Sequence, residues 1–142
     1  MCGIGGYIVN ENNNPSPKVL HSLAKSLLLN LEWRGKDAAG YAFISEKDKG
    51  LILAKSPVKA TDFVTIPGHL LSRRKIKAMP KVLLLHTRHA TQGKPSNNKN
   101  NHPLYRKATG MCFVHNGWLL NDEELTEKHK LSLDAEVDSE IY

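Results

Sequence analysis

The chain predicts an α+β domain in which antiparallel sheet layers are covered by helices. Short apolar runs are bounded by turn residues, one segment carries a clear helical stripe, and the strand–helix–strand alternation of a parallel sheet is missing. At 142 residues the chain fits one domain large enough for its own hydrophobic core.

Gly3 to Val9 is a compact apolar run that ends in Asn10-Glu11-Asn12-Asn13-Asn14-Pro15, which reads as a strand followed by a turn. Ser16-Pro17 opens a helix, with serine as the cap and proline at the first helical position. Val19, Leu20, Leu23, Ala24, Leu27, Leu28 and Leu31 then recur at helical spacing, so one face of that helix packs inward. Gly40 to Ser45 and Leu51 to Ala54 flank the polar stretch Glu46-Lys47-Asp48-Lys49-Gly50 and predict a hairpin, which Gly40 lets the chain enter. Pro57 to Lys77 predicts helix with a break at Pro67-Gly68. Val82 to His86 and Gly110 to Val114 predict strands, and Gly93 to Asn101 between them is loop. Asn121-Asp122-Glu123-Glu124-Leu125 starts a helix whose acidic first turn suits the helix dipole, and Asp138 begins another.

Composition narrows the function classes. No apolar run approaches the roughly 20 residues of a membrane span. No basic segment leads into a signal-like apolar stretch, which points to the cytoplasm and to no membrane partner. The net charge of +6 includes Arg73-Arg74-Lys75-Ile76-Lys77, but no aromatic residue interleaves with that run. It reads as a solvated helix face or turn, and no nucleic-acid partner is expected. Cys2 and Cys112 are the only cysteines, there is no Cys-x-x-Cys, and the histidines are scattered. Neither a metal nor an organic cofactor is expected.

Chemistry enters at the second residue. If Met1 is removed, Cys2 carries both a thiol and a free α-amine, whose pKa of about 7.7–8.0 leaves a neutral fraction able to act as base. A nucleophile activated by its own terminal amine is a known catalytic device. Four further segments contain reactive or binding side chains: Arg34-Gly35-Lys36-Asp37-Ala38-Ala39-Gly40, His86-Thr87-Arg88-His89-Ala90-Thr91-Gln92-Gly93, Asn101-His102-Pro103-Leu104 and His115-Asn116-Gly117. Val137-Asp138-Ser139-Glu140 closes the series.

In this order, behind a cysteine at position two, these segments resemble the class II glutamine amidotransferases, the N-terminal-nucleophile glutaminase domains. The wording of His86 to Gly93 looks most like the glucosamine-6-phosphate synthase branch. The resemblance runs from Cys2 to Glu140 and implies an αββα sandwich, an N-terminal-nucleophile fold that this chain would carry incomplete at its C-terminus. It places the N-terminal portion of a glutaminase domain over residues 2–142. Cys2 would attack the side-chain amide of L-glutamine and form a γ-glutamyl thioester, with ammonia passed to a synthase domain or partner. Asn116 and the Gly117 N–H would form the oxyanion hole. Arg88 would grip the substrate carboxylate, Asp138 its ammonium, and Thr91 and Gln92 would line the pocket. Arg34 and Gly35 would hold the nucleophile's main chain, and His102 would help order the site. Residues 88–96 would form a lid over bound glutamine. Two positions depart from that branch: His89 stands where tryptophan is usual, and Gln92 where histidine is usual.

Without the resemblance, Asn116-Gly117 could be a type I′ hairpin turn. Asp37 is expected to bond nearby backbone, Cys112 to be a buried inert thiol, and His21, His69 and His129 to be surface residues. Two rival functions remain: an N-terminal-cysteine amidase acting on another amide, and a truncated, non-catalytic remnant that binds glutamine or a partner subunit.

Overall fold

Residues 1–10, 12–45 and 50–142 are described by the structure, a computed structural model. Four antiparallel strands form the main sheet: β1 (Gly3–Ile8), β2 (Ala38–Ile44), β3 (Leu51–Ser56) and β4 (Val82–Arg88), in the order β1-β4-β2-β3. Two short strands, β5 (Leu104–Arg106) and β6 (Met111–Phe113), pair into a second sheet. The helices are α1 (Pro17–Leu31), α2 (Ala60–Phe63) and α3 (Asp122–His129). The α+β expectation holds.

Helix α1 starts where the sequence marks it: the Val19 N–H donates to Ser16 Oγ at 3.4 Å. It buries Leu20, Ala24 and Leu28, and the last two join Leu83 and Leu85 of β4 and Ala39 and Tyr41 of β2 in one core cluster. Burying such aliphatic side chains contributes roughly 1.5–3 kcal/mol each. The last turn of α1 lies directly on β1, and glycine is what allows it. A Cβ on Gly3 would come within 2.5 Å of Thr87 Oγ1 and 3.0 Å of Leu31 Cβ, and one on Gly5 within 2.9 Å of Leu31 Cδ1. Thr87 Oγ1 donates to the Leu31 carbonyl at 2.8 Å, tying helix end to strand end. Cys2, the residue before β1, is thereby held beside the end of β4, since Gly3 pairs with Thr87.

The other face of the sheet carries alternate residues that are apolar and in part exposed, among them Ile8 (81 %), Ile44 (62 %) and Val82 (46 %). The second sheet lies over part of this face. Tyr105 and Cys112 line a cavity of about 450 Å³ with Ala42, Leu51 and Leu84.

Several local expectations change. Pro57 to Lys77 is not a broken long helix; it contains only α2 and a 3-10 turn at Leu70–Ser72. Gly68 at φ +87° divides it, and each piece is too short to propagate as an isolated helix. Tertiary contacts hold it instead: Phe63, Val64, Leu70 and Leu71 are buried, and the Leu70 N–H donates to Tyr41 Oη at 2.9 Å. Asp138–Ile141 is a single 3-10 turn rather than the start of an α-helix. The strands β2 and β3 pair from Ile44–Leu51 to Ala39–Ser56. Glu46 to Lys49 of the expected hairpin turn, like Glu11 of the turn after β1, lie outside the described residues. Gly40 sits within β2, not at its entry. A Cβ there would lie 2.3 Å from the His102 carbonyl oxygen, so its role is close approach of backbone. The basic run Arg73 to Lys77 takes the turn alternative and is largely exposed. His69 is no surface residue: its ring packs 4.8 Å from that of Phe63, and burial lowers its pKa. His21 is likewise half-buried, whereas His129 is exposed. Cys112 is half-buried rather than enclosed, and burial raises its thiol pKa, which suits an inert role.

Candidate active site

Three separated segments converge on Cys2. Its N–H donates to Asn116 Oδ1 at 3.0 Å, and its carbonyl accepts from Arg34 Nε at 3.0 Å. Its sulfur lies against the His89 peptide, 3.4 Å from the nitrogen, which donates to it, and 3.6 Å from the carbonyl oxygen. The thiol therefore faces one donor and one acceptor from a single residue.

The sequence produces this convergence by close packing of main chain. Arg34 ends a 3-10 turn that continues from α1, and Gly35 follows. A Cβ on Gly35 would lie 2.4 Å from the Arg88 carbonyl carbon and 2.7 Å from the His89 nitrogen, so only glycine lets this segment touch the end of β4. Asp37 then fastens the same place. Its N–H donates to the Arg88 carbonyl at 3.0 Å, and its Oδ2 accepts the Ala90 N–H at 2.7 Å, with His89 Nδ1 3.8 Å away. The expected backbone-bonding role of Asp37 is what the structure has.

Arg88, only 3 % exposed, is the cationic centre. Nη1 donates to Asn101 Oδ1 at 2.9 Å, and Nη2 donates to the carbonyls of Gln92 and of Gly93, the latter at 2.8 Å. Burial lowers its pKa, while Cys2 and Asp37 act in the opposite direction; a guanidinium stays charged under such shifts. The loop after β4 is thus folded back onto the arginine that precedes it. Asn100 and Asn101 pin its far end through the carbonyls of Lys94 (3.1 Å) and Pro95 (2.8 Å).

Gln92 connects this loop to the anionic side of the site. Its Oε1 accepts the Asp138 N–H at 3.1 Å and its Nε2 donates to Asp122 Oδ2 at 3.0 Å. The Asp138 carboxylate, 8 % exposed, accepts the Leu119 N–H at 2.7 Å on Oδ2 and the Ser139 N–H and hydroxyl at 2.8 and 3.2 Å on Oδ1. A carboxylate offers about four acceptor positions, so one remains for a further donor.

Asn116 is positioned from beneath by histidines. His86 Nε2 lies 3.3 Å from the His115 carbonyl, and His115 Nδ1 lies 2.9 Å from Ser139 Oγ. The rings of His86 and His102 are 4.6 Å apart, and both residues are buried. Desolvation lowers the pKa of His86 to about 4 and that of His102 to about 2, with neighbouring charges including Arg88 adding to the effect. At neutral pH both are therefore uncharged. Neither Asn116 nor Gly117 has a positive φ, so the pair is not the type I′ turn its sequence allows. A Cβ on Gly117 would lie 2.4 Å from His115 Nε2, so a side chain there would require the His115 ring to shift.

The family model for class II glutamine amidotransferases matches residues 30–141, the stretch that carries all of these segments except Cys2 itself. The chain belongs to the class II glutamine amidotransferases. Among relatives, the glutamine–fructose-6-phosphate aminotransferase (isomerizing) of Aquifex aeolicus is 36 % identical over 144 residues, covering 99 % of this chain and 22 % of the relative. The enzyme of the same name from Sulfurisphaera tokodaii is 34 % identical over 147 residues, with 99 % and 22 % covered. That from Chlamydia pneumoniae is 33 % identical over 144 residues, with 99 % and 21 % covered. The chain spans about a fifth of the length of these relatives. The α+β fold is that of an N-terminal-nucleophile-type glutaminase domain, and no helix among the described residues is long and apolar enough to cross a membrane.

For this amidotransferase domain the structure gathers Cys2, Asn116, Arg34 and Gly35 at one point, and links Arg88, Gln92 and Asp138 in a chain of hydrogen bonds. Thr91 is exposed on the loop between them, and Gly117 is exposed beside Asn116. His102 is not among the hydrogen-bond partners of Cys2; its ring stacks on that of His86. Sequence reasoning gives no part to His86, Asn101 or His115, and treats His89 only as a departure from the related branch. His86 and His89 flank Arg88, His115 precedes Asn116 and Asn101 precedes His102, and those places within the motifs are the signal that could have found them.

Proposed function

We propose that this chain hydrolyses the side-chain amide of L-glutamine with Cys2 as nucleophile and releases ammonia for transfer to an acceptor on a synthase domain or subunit. One observation carries the reading: the nitrogen, carbonyl and sulfur of Cys2 are each held by a different motif, through Asn116, Arg34 and His89. A structural cysteine has no need of that arrangement.

In this reading removal of Met1 turns the Cys2 nitrogen into an α-amine that Asn116 Oδ1 still orients. The amine takes the thiol proton, and the sulfur attacks the amide carbon of glutamine. The resulting oxyanion is received by the Asn116 amide NH2 and the Gly117 N–H, each donor of this kind being worth about 2.7–4 kcal/mol in the transition state. The amine returns its proton to the departing nitrogen, ammonia leaves, and a γ-glutamyl thioester remains. Water then adds to the thioester carbon, glutamate departs and the thiol is restored. Arg88 supplies a fixed guanidinium for the substrate carboxylate, and Asp138 has one acceptor position left for its ammonium. Thr91 and Gln92 border the pocket on a lid of residues 88–96, while Arg34, Gly35 and His102 support the nucleophile and oxyanion donors. In this reading residues 2–142 are the N-terminal portion of the glutaminase domain.

The test is covalent trapping. The purified chain is incubated with a glutamine analogue carrying a diazoketone at the amide position, then digested for mass spectrometry. A single stoichiometric adduct on an N-terminal Cys2, blocked by excess glutamine but not by asparagine, is expected. Absence of the adduct from folded protein that lacks Met1 would favour the non-catalytic alternative.

A further inference from the structure

A second cavity, of about 390 Å³, lies between β3, the β5–β6 hairpin and the segment before the closing 3-10 turn. Neither Cys2 nor Asp138 lines it. Four cations do: Lys55, Lys99, Arg106 and Lys107, against two carboxylates, Asp134 and Glu140. Formally that leaves two positive charges in excess, four minus two.

Glu140 acts on Lys55 through its charge, but among the described residues it closes no ion pair with the cations of the cavity. Glu140 is occupied by main chain, with Oε1 accepting the Asp134 N–H at 3.0 Å and Oε2 the Ala135 N–H at 2.5 Å. Arg106 donates to the backbone carbonyl of Glu140 rather than to its carboxylate. Asp134 stands 3.8 Å from Lys99, and both are well exposed. Among the described residues no carboxylate lies within ion-pair distance of Lys55, Arg106 or Lys107. Lys55 feels this most. Its ammonium is half-buried and donates to two carbonyls, Asn101 at 2.5 Å and Lys99 at 3.4 Å. Desolvation lowers its pKa to about 8.

We infer that this cavity is a binding site for a small oxyanion, a phosphate or phosphate monoester, seated against Lys55, Arg106 and Lys107. A tetrahedral oxyanion supplies several acceptors at once to cationic donors lining one cavity, and its charge offsets the excess there. The volume is within the range of small-molecule sites. The site also touches the glutaminase centre through two hydrogen bonds. Lys55 Nζ holds the Asn101 carbonyl, and Asn101 Oδ1 holds Arg88 Nη1. Drawing the Lys55 ammonium toward an anion shifts the residue that positions Arg88. The binding claim stands whether or not Cys2 is catalytic.

The experiment is a titration of the full chain with inorganic phosphate, followed by ¹H–¹⁵N spectra at constant ionic strength against sodium chloride. Saturable shifts of the amides of Arg106 and Lys107, with a concerted shift of the Arg88 Nε–H resonance, are expected. Lys107→Gln, at an exposed position, should raise the midpoint at least fivefold with the rest of the spectrum unchanged, and Lys55→Met should abolish saturation. Linear shifts matched by chloride would overturn the inference. So would an unchanged midpoint in Lys107→Gln, or shifts centred on Arg73 to Lys77.

Discussion

Mild acid should destabilise this domain well before its carboxylates titrate, because two histidines are buried uncharged behind the His115-Asn116-Gly117 segment. His86 and His102 are stacked and enclosed, and their folded-state pKa values, about 4 and about 2, lie below the ordinary histidine value of 6.5. The sign follows from linkage. Between 6.5 and 4 the unfolded chain binds more protons than the folded one, so stability rises with pH and is complete only above about 6.5. Each pH step of one below 6.5 withdraws about 1.36 kcal/mol per histidine that stays neutral in the fold. At pH 4.5 each has therefore withdrawn about 2–3 kcal/mol, and the two together about 5 kcal/mol. That is comparable to the whole stability of a small domain, roughly 5–15 kcal/mol. The assay is urea unfolding by circular dichroism at half-unit steps from pH 7.5 to 4.5, with both imidazoles followed by NMR. The midpoint should fall steeply below pH 6.5, and neither ring should titrate in the folded state above pH 5. A flat midpoint over that range, or ring titrations near 6.5, would show that the two rings are not enclosed uncharged.

Gly35→Ala should be far more damaging than an ordinary glycine substitution. The added methyl meets main-chain atoms of Arg88 and His89 at 2.4–2.7 Å, so glutamine hydrolysis should drop by at least about a hundredfold as the His89 peptide shifts from Cys2. Circular dichroism beside the rate distinguishes misplacement from unfolding. Arg88→Lys keeps the charge but loses the fork that reaches Asn101, Gln92 and Gly93, and should raise KM for glutamine by at least about tenfold. Leu28→Ala empties a fully buried position under the sheet and should cost about 2–5 kcal/mol in urea unfolding, leaving KM unchanged in protein that remains folded.

Local signals with short reach translate well from sequence to structure. The Ser16-Pro17 helix start, the apolar run of β4 and the polar loop after it each depend on neighbours in the chain, and each forms where those neighbours predict it. Pro57 to Lys77 departs from its helical pattern because its apolar residues serve tertiary contacts, not a continuous helical face. The strand β5 has no clear signal, since Tyr105 and Arg106 are polar and it has only three residues. At the site, the motifs supply the side-chain identities. They do not supply the contact of His89 with the Cys2 sulfur, since that contact is made by backbone and depends on Gly35 having no side chain. The burial of His102 is equally out of reach, because it follows from how the second sheet lies over the first.

That Cys2 performs the chemistry is tested most directly by glutamine turnover in Cys2→Ala beside the unaltered chain. Cys2 lies outside the hydrophobic core, so the variant should fold with the same unfolding midpoint. Equimolar glutamate and ammonia are expected from the unaltered chain and none from Cys2→Ala. Equal rates from the two proteins would contradict the assignment of Cys2 as nucleophile.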